Sequence, residues 1–551
     1  MVFHSLPLII VAGLKSRLFF IMTVITSRSP FDNRVLDIDD ITQKEDIAKK
    51  VEQCRVAATI WANVPVKKRV QILTKLRDDI LGDMDALSEC ISETTGKVPT
   101  EALLGDILPV VSLLDYYIKN ASSILADRNI ATSPFLFSAT SAKIYQQPFG
   151  VIAIISPWNY PFQLTVSPLL TALFSGNGVV FKASEYSLPV GKYIYKLFNQ
   201  LDLPEGLVQW VIGDKEIAQQ LIDAGPDMVF FTGGLTAGRH VMKRAAAHPI
   251  PVLLELGGKD AMIVFEDANL ERASHAALYG AFCNSGQVCV SVERLYVQQT
   301  CHDQFLKKLL DNLTQIRVGR GVENDLGAMT TSAQIQLMQA HYEDAVLLGA
   351  KASSPLVIKE GNFVNPIVLW NVSEAMRIMR EESFAPMLVI MSFDNETEVV
   401  KLANDTPFGL NASVWSCDLI KAERVARQLQ VGAWAINDVL KNIGHPALPF
   451  GGVKKSGFGR YHGAEGLLSF SYSVSGLVNF SRLPKEPNWF PYSEMHYAGF
   501  KGYLDFIYGK DSWWLRGKRN HAVLQIFRSH SQFSLKQFWH NLKCFLTFKS
   551  G

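Results

Sequence analysis

Short apolar runs alternate with helical segments through the middle of this 551-residue chain, and this alternation limits the fold more than any other feature. The first runs lie at residues 150–155, 178–181, 208–212 and 228–232, and helix-like segments such as 189–201 separate them. Continuous apolar strands that alternate with helices are typical of a parallel sheet covered by helices on both faces. The pattern therefore predicts a doubly wound α/β domain.

A second series of the same kind follows residue 255. Its strand-like runs lie at residues 261–265, 294–297, 387–393, 412–415 and 433–437. Helical stretches such as 273–282 and 301–314 separate these runs. Because 551 residues exceed what one hydrophobic core usually holds, two or three domains are expected. The fold class is therefore α/β, with two doubly wound parallel-sheet domains.

The chain reads as α-helical before the first series, from residue 41 to about residue 125. Val70, Leu73, Leu76 and Ile80 recur at spacings of three and four residues, with charged residues between them. This period places the apolar side chains on one face of a helix. A helical segment is therefore expected ahead of the first sheet.

A thiol and a carboxylate stand in glycine-containing segments near the junction of the two series. Cys289 ends the sequence GQVC, and Glu255 begins the sequence ELGGK. Glycine lets the backbone approach a ligand closely, and a cysteine with a nearby base is suited to covalent catalysis. These residues predict an oxidising or acyl-transfer enzyme in which Cys289 is the nucleophile and Glu255 is the base.

A strand that runs through a glycine turn into a helix occupies residues 230–239, FFTGGLTAGR. Such a helix start presents free N–H groups and a positive dipole end to a pyrophosphate. The spacing of Gly233, Gly234 and Gly238 differs from the usual GxGxxG fingerprint. The segment is therefore compatible with a dinucleotide site and also with an ordinary tight turn.

Lys182 and Glu185 follow the 178–181 strand, at the end of the sheet where open α/β folds bind ligands. A lysine and a glutamate suit the hydroxyls of an adenosine ribose, although a solvated surface pair has the same sequence. Glu185 would repel a 2′-phosphate, because both groups are negatively charged. NAD is therefore expected as the cofactor in preference to NADP.

A single amide stands among aromatic residues and prolines in the segment PWNYPF, residues 157–162. Asn159 held in this way suits donation of a hydrogen bond to a developing oxyanion, an interaction worth about 3 kcal/mol in other enzymes. An asparagine that only stabilises a turn would produce the same local pattern.

Charge and cysteine content exclude several classes of protein. The chain has 54 basic and 52 acidic residues, a formal charge of +2, which does not support bulk binding of nucleic acid. Its seven cysteines are scattered and lack metal-ligand spacing, so no metal site is expected and a reducing compartment is favoured.

The two ends of the chain differ from its body. Residues 1–36 form an extension with two short apolar runs, compatible with a mitochondrial presequence, a signal anchor or a dispensable segment. Residues 486–551 form a basic aromatic tail, whose apolar stripe includes Leu535, Phe538 and Leu542. Such an amphipathic stripe predicts either contact with a membrane or docking on the protein itself or on a second copy.

Seven motifs in one order make residues 40–485 resemble the aldehyde dehydrogenase superfamily. They are PWNYPF at 157–162, KASE at 182–185, the glycine turn at 231–238, ELGGK at 255–259, GQVC at 286–289, EESFAP at 381–386 and PFGG at 449–452. The segment PFGGVKKSGFGRYHG most resembles the class 3, fatty aldehyde branch, which includes fungal long-chain enzymes.

This resemblance implies a role for each matching residue. Cys289 would attack the aldehyde, Asn159 would hold the resulting oxygen, and Glu255 would activate the hydrolytic water. The cofactor-binding residues implied are Trp158, Lys182, Glu185, Thr232, Gly233, Gly234, Gly238, Leu256, Gly257, Glu382 and Phe384. An NAD-binding domain with N-terminal helices is expected at residues 37–254, a catalytic domain at 255–445 and a C-terminal arm at 446–485. A homodimer is implied in the same way.

The expected activity is the NAD-dependent oxidation of medium- to long-chain fatty aldehydes to carboxylic acids. Alternatives are another hydrophobic aldehyde, carotenoid-derived or aromatic, or an inactive membrane-bound scaffold of the same fold. Because the tail suits a lipid surface, a cytosol-facing location is expected on the endoplasmic reticulum, the mitochondrial outer membrane or a lipid droplet, and mitochondrial targeting by the N-terminus remains open.

Overall fold

The computed structural model describes residues 24–131, 140–482, 484–486 and 488–510. The apolar runs of the N-terminal extension and the stripe through Leu535, Phe538 and Leu542 lie outside these residues. The chain divides into two compact units, the larger formed by residues up to 125 together with 148–472, and the smaller formed by residues 126–147 together with those from 473 onwards. The domain limits at residues 254 and 445 stay a prediction.

Twenty strands and eighteen α-helices make up the described fold. The strands are β1 (Val24–Arg28), β2 (Val35–Asp40), β3 (Arg128–Ile130), β4 (Thr140–Pro148), β5 (Val151–Ile155), β6 (Gly178–Lys182), β7 (Val208–Trp210), β8 (Met228–Thr232), β9 (Val252–Glu255), β10 (Asp260–Val264), β11 (Val292–Gln298), β12 (Lys351–Ala352), β13 (Ile358–Lys359), β14 (Phe363–Val364), β15 (Ile367–Trp370), β16 (Met387–Phe393), β17 (Ala412–Trp415), β18 (Ala435–Ile436), β19 (Gly457–Phe458) and β20 (Ser471–Asn479). The helices are α1 (Lys44–Ala62), α2 (Val66–Gly82), α3 (Met84–Thr95), α4 (Pro99–Glu101), α5 (Leu108–Ile124), α6 (Gln163–Ser175), α7 (Leu188–Asn199), α8 (Lys215–Asp223), α9 (Leu235–Ala245), α10 (Leu270–Phe282), α11 (His302–Leu313), α12 (Ser332–Leu347), α13 (Arg377–Arg380), α14 (Glu396–Asn404), α15 (Leu419–Ala426), α16 (Lys441–Gly444), α17 (Gly463–Ser469) and α18 (Glu494–Tyr508).

A six-stranded sheet has the order β19-β9-β8-β5-β6-β7, and all its pairs are parallel except β19 with β9. Every residue of β5, β6 and β8 is buried, because these strands are covered on both faces. This burial explains why the sequence has continuous apolar runs there rather than alternating ones. The first predicted doubly wound sheet is confirmed.

A seven-stranded sheet has the order β12-β15-β16-β11-β10-β17-β18. Its pairs are parallel except β12 with β15 at one edge. The apolar side chains of β10, β11 and β16 pack against α10 and α11 in one core. The second predicted sheet is therefore confirmed as well.

The predicted helical opening corresponds to α1, α2, α3 and α5. Leu73, Leu76 and Ile80 of α2 are fully buried, which confirms the stripe read from the sequence, and Val70 packs against the same core. Part of the segment assigned to the N-terminal extension is also folded, since β1 pairs with β2 and the Ser27 hydroxyl donates to the carbonyl of Tyr186 at 2.8 Å.

The smaller unit contains a three-stranded sheet of order β20-β4-β3. β4 belongs to this sheet and not to the doubly wound sheet that follows it in the chain. Most residues of β4 are half-buried, because the strand is not covered on both faces. Among the described residues, none of the helices combines the length and the apolar composition needed to cross a membrane.

Candidate active site

Four adjacent strands of the six-stranded sheet carry predicted site residues at their carboxyl ends. The strands are neighbours in the order β9-β8-β5-β6. The segment with Asn159 follows β5, the one with Glu185 follows β6, the one with Gly233 follows β8, and Glu255 ends β9. Because the carboxyl ends of parallel strands share one edge, residues up to about a hundred positions apart in the chain come together there.

A cavity of about 250 Å³, called here the cofactor cavity, opens at this edge. Eleven of the fourteen predicted site residues line it: Trp158, Asn159, Thr232, Gly233, Gly234, Glu255, Leu256, Gly257, Cys289, Glu382 and Phe384. The cavity therefore joins the residues predicted to bind the cofactor with the three predicted to catalyse.

The other three predicted residues lie close by but do not line the cavity. The Lys182 ammonium and the Glu185 carboxylate form an ion pair of 3.0 Å beyond the end of β6. Gly238 lies in α9 beneath Leu256, and a Cβ at this position would stand 2.5 Å from a methyl carbon of that side chain. The structure thus gives Gly238 a packing role, with α9 held close to the chain segment after β9.

Two consecutive glycines are required where the two α/β layers approach each other. A Cβ at Gly257 would collide with the Glu382 carboxylate, and one at Gly258 would collide with the carbonyl oxygen of Cys289. The N–H of Gly258 donates to the carboxylate of Glu382 at 3.1 Å. Burial raises the pKa of Glu382 to about 8. The glycines of the ELGGK motif therefore place Glu382 and Cys289 beside the same cavity.

The Cys289 thiol lies after a turn of left-handed backbone. Asn284, Ser285 and Gly286 have φ values of 51°, 53° and 70°. The side-chain amide of Asn284 donates to the carbonyl oxygens of Asn159 (3.0 Å) and Gln287 (3.2 Å). Burial, with smaller contributions from neighbouring carboxyl groups, raises the pKa of the Cys289 thiol. The thiol therefore lies beside Asn159 in surroundings that disfavour its thiolate.

Asn159 is oriented through both its side chain and its backbone. Its side-chain amide donates to the carbonyl of Gln287 at 3.0 Å, which uses one of the two N–H groups of that amide. The second N–H is left to donate to another acceptor, which is compatible with the predicted oxyanion role.

The Glu255 carboxyl is buried at the end of β9 beside the cofactor cavity. Neither of its oxygens has a hydrogen-bond partner in the described part of the chain. Burial raises the pKa of Glu255 well above its usual range, and the charge of Arg460 opposes this shift. A carboxylate without partners and with a raised pKa is suited to accept a proton from a bound water.

A buried ion pair that the sequence analysis missed supports the Asn159 segment. The ammonium of Lys97 contacts the carboxylate of Asp106 at 2.7 Å and donates to the carbonyl of Asn159 at 2.8 Å. The second oxygen of Asp106 accepts from the backbone N–H groups of Phe162 and Gln163, each at 3.1 Å. Because both charges are fully buried, loss of either partner would leave the other uncompensated.

A second missed pair, Lys259 with Glu293, supports the segment that contains Glu382 and Phe384. Both side chains are buried, and the Lys259 ammonium donates to the Glu293 carboxylate. That carboxylate also accepts from the N–H groups of Ser383 (2.9 Å) and Phe384 (3.3 Å). Phe384 has a φ of 50° and meets the Trp158 ring edge-on at 5.7 Å. The pair therefore fixes one wall of the cofactor cavity.

A second cavity of about 190 Å³, called here the tunnel, reaches Cys289 from another side. Its wall is mostly apolar and aromatic, and Cys289 and Leu164 also line the cofactor cavity. The lining side chains include Leu104, Tyr160, Tyr279, Val288, Val290, Leu440, Phe450 and Tyr461. The thiol can therefore contact a cofactor on one side and an apolar molecule on the other.

Comparison with known proteins agrees with this geometry. A sequence profile described as the aldehyde dehydrogenase family matches residues 22–475. The chain belongs to the aldehyde dehydrogenase family. A crystal structure of the NAD-dependent aldehyde dehydrogenase from Sinorhizobium meliloti has a TM-score of 0.80 and 32% identity, over 85% of this chain and 93% of that one. Betaine aldehyde dehydrogenase from Staphylococcus aureus in complex with NAD⁺ has a TM-score of 0.79 and 29% identity, over 85% and 94%.

Sequence comparison also finds relatives with named substrates. The 4,4'-diapolycopene aldehyde oxidase of a Methylomonas species is 60% identical over 522 residues, which cover 95% of this chain and 98% of the relative. Betaine aldehyde dehydrogenase of Bacillus subtilis is 33% identical over 480 residues, 84% of this chain and 95% of the relative. The 60% identity does not support the fungal fatty aldehyde branch chosen from the sequence.

The expected location is wrong. The relatives above are bacterial proteins, and bacteria contain neither endoplasmic reticulum nor mitochondria. The predicted placement on the membrane of such an organelle or on a lipid droplet is therefore wrong, and so is mitochondrial targeting by the N-terminus. The physical reason is that a basic amphipathic tail indicates an apolar contact surface but does not identify what covers it.

The residues of the cofactor cavity fit a nicotinamide dinucleotide. Gly234 precedes α9 in extended backbone, and no side chain in the described residues caps this helix, so its first N–H groups are available to a phosphate. The buried Thr232 hydroxyl has no hydrogen-bond partner in the same described part. Within those ranges, no group of three or more His, Cys, Asp or Glu side chains is placed to hold a metal ion.

Proposed function

We propose that this chain catalyses the NAD-dependent oxidation of a long, apolar aldehyde of the carotenoid type to the corresponding carboxylate. The observation that carries the proposal is the 60% identity, over almost the whole of both chains, to an enzyme named for a diapolycopene aldehyde. The aromatic and aliphatic wall of the tunnel supports it, because such a wall suits a long hydrocarbon and offers no cation to a charged substrate.

The proposed reaction begins with attack of the Cys289 sulfur on the aldehyde carbon: the S–C bond forms, the carbonyl π electrons move to the oxygen, and the thiol proton passes to solvent, which gives a thiohemiacetal. The second amide N–H of Asn159 and the backbone N–H of Cys289 stabilise the oxygen that carries negative charge. A nicotinamide held in the cofactor cavity would supply the oxidant, because its ring is a hydride acceptor. Glu255 then takes a proton from water, and the resulting hydroxide displaces Cys289 from the thioester to give the acid.

Glu185 is proposed to select NAD over NADP. Its carboxylate pairs with Lys182 at 3.0 Å and is about one-third exposed, at the end of β6 where the adenosine ribose is expected. Glu185→Gln should lower the KM for NADP relative to that for NAD about tenfold, because it removes the repulsion of the 2′-phosphate. Steady-state kinetics with both cofactors measures this ratio, and Glu205→Gln, at an exposed position, is the control. An unchanged ratio would assign selection to other residues.

A panel of aldehydes tests the proposed substrate. We expect kcat/KM for a polyene aldehyde to exceed that for a saturated fatty aldehyde of equal length about tenfold, since planar conjugated chains pack on the tyrosine and phenylalanine rings of the tunnel. Formation of reduced cofactor measures the rates, in the same detergent throughout. A preference for saturated aldehydes would favour the fatty aldehyde hypothesis. A preference for betaine aldehyde would reject both the carotenoid-type and the fatty aldehyde hypotheses.

A further inference from the structure

A surface groove of about 390 Å³ adjoins the tunnel. The two cavities share four lining residues, Glu101, Leu104, Tyr279 and Cys283. Leu104 and Tyr279 are about half exposed, so they form a common rim rather than a buried partition. A molecule that extends from Cys289 through the tunnel would therefore reach this groove next.

Apolar side chains line the groove beyond its rim. Val322 is 71% exposed, Ile316 is half-buried, and Leu278, Phe282 and Leu326 are buried. A concave site with an apolar lining beside an active site suits the apolar part of a ligand. The apolar path from Cys289 is thus longer than the tunnel alone.

Two carboxyl groups lie along the same path, and no lysine or arginine lines it. One oxygen of Glu101 accepts from the N–H of Asn284, whereas the other is buried without a partner in the described residues. Asp325 pairs at 3.1 Å with Arg317, which does not line the groove. His275 is the remaining titratable side chain in the lining apart from tyrosine and cysteine. The groove therefore suits an uncharged end better than an anionic one.

We propose that this groove holds the part of a long aldehyde that projects from the tunnel, and that it accepts an apolar, uncharged end and disfavours a carboxylate. This inference rests on the proposed function. Each oxidation converts R–CHO, water and NAD⁺ to R–COO⁻, NADH and two protons. A dialdehyde oxidised at one end must turn around before its second end reacts, which brings the new carboxylate into the groove. The half-oxidised aldehyde-acid is therefore the poorer substrate.

The first experiment compares Val322→Glu with Val56→Glu, which makes the same substitution at an exposed position of α1 remote from the groove. The substrates are crocetin dialdehyde, which is long, and hexanal, which fits inside the tunnel. Val322→Glu should lower kcat/KM for the dialdehyde about tenfold, mainly through KM, and leave hexanal unaffected. The groove proposal would be overturned if the two variants had the same kcat/KM for the dialdehyde, or if Val322→Glu lowered kcat/KM equally for the dialdehyde and for hexanal.

The second experiment uses the aldehyde-acid obtained by oxidation of one end of crocetin dialdehyde. The wild-type enzyme should oxidise it about fivefold less efficiently than the dialdehyde, and Gln315→Lys, an exposed change in the lining, should recover most of this difference. Equal efficiency on both substrates in the wild type contradicts the charge selection. If the wild-type enzyme oxidises hexanal but not the dialdehyde, both the proposed function and the groove proposal are rejected. If it oxidises the dialdehyde normally and Val322→Glu has no effect, only the groove proposal is rejected.

Discussion

Cys289→Ala should abolish aldehyde oxidation, with kcat reduced by about four orders of magnitude or more, since removal of a covalent nucleophile leaves only binding and oxyanion stabilisation. The substitution removes one sulfur atom from the place where the cofactor cavity and the tunnel meet, so little repacking is expected. The variant should still bind the cofactor, as measured by the quenching of protein fluorescence. Reduced cofactor formed with a saturating polyene aldehyde measures the loss of turnover.

Cys301→Ala is the matched control for this prediction. Cys301 is buried and, like Cys289, has a raised pKa, but it lies at the start of α11, where its thiol donates to the carbonyl of Gln298. Its activity should stay within about twofold of the wild type, as most substitutions outside a site leave the chemistry unchanged. More than a few per cent of wild-type activity in Cys289→Ala would assign the nucleophile to another residue.

The sequence predicts the parallel sheets well because their information is local. A strand covered on both faces must be apolar throughout, so β5, β6 and β8 are visible as uninterrupted runs. Cys289, Glu255 and Asn159 stand in motifs that resemble those of the family and that also contain glycine or proline. The structure places all three at the cofactor cavity, and their catalytic roles stay a prediction.

The supporting contacts are not visible, because they join positions whose proximity only the fold creates. Lys97 and Asp106 read as two ordinary surface charges, although they form a fully buried pair that supports Asn159. Gly238 reads as a phosphate-binding glycine, whereas the structure places it beneath Leu256. The tunnel wall comes from segments between Glu101 and Tyr461, so no local pattern predicts its width or its extension into the groove.

Glu255→Gln should separate the two halves of the reaction. Attack by Cys289 and oxidation of its adduct do not require a base at this position, whereas hydrolysis of the thioester does. Rapid-mixing measurements should therefore show one equivalent of reduced cofactor formed at close to the wild-type rate, followed by turnover slowed by about 10² to 10⁴. Mass spectrometry of the quenched enzyme should find the acyl group on Cys289. Glu216→Gln, an exposed substitution in α8, should behave as the wild type.

The buried carboxyl group of Glu255 also predicts how turnover depends on pH. A general base acts in its deprotonated form, so turnover limited by hydrolysis should rise as the pH rises through the pKa of Glu255. Burial raises that pKa well above the usual carboxyl range, and the rise should therefore occur at higher pH than for an exposed carboxylate. Arg460→Gln should move it higher still, because the charge of Arg460 lowers the pKa of Glu255. Another group would have to activate the water if Glu255→Gln kept its full steady-state turnover, or if Arg460→Gln left the pH dependence of turnover unchanged.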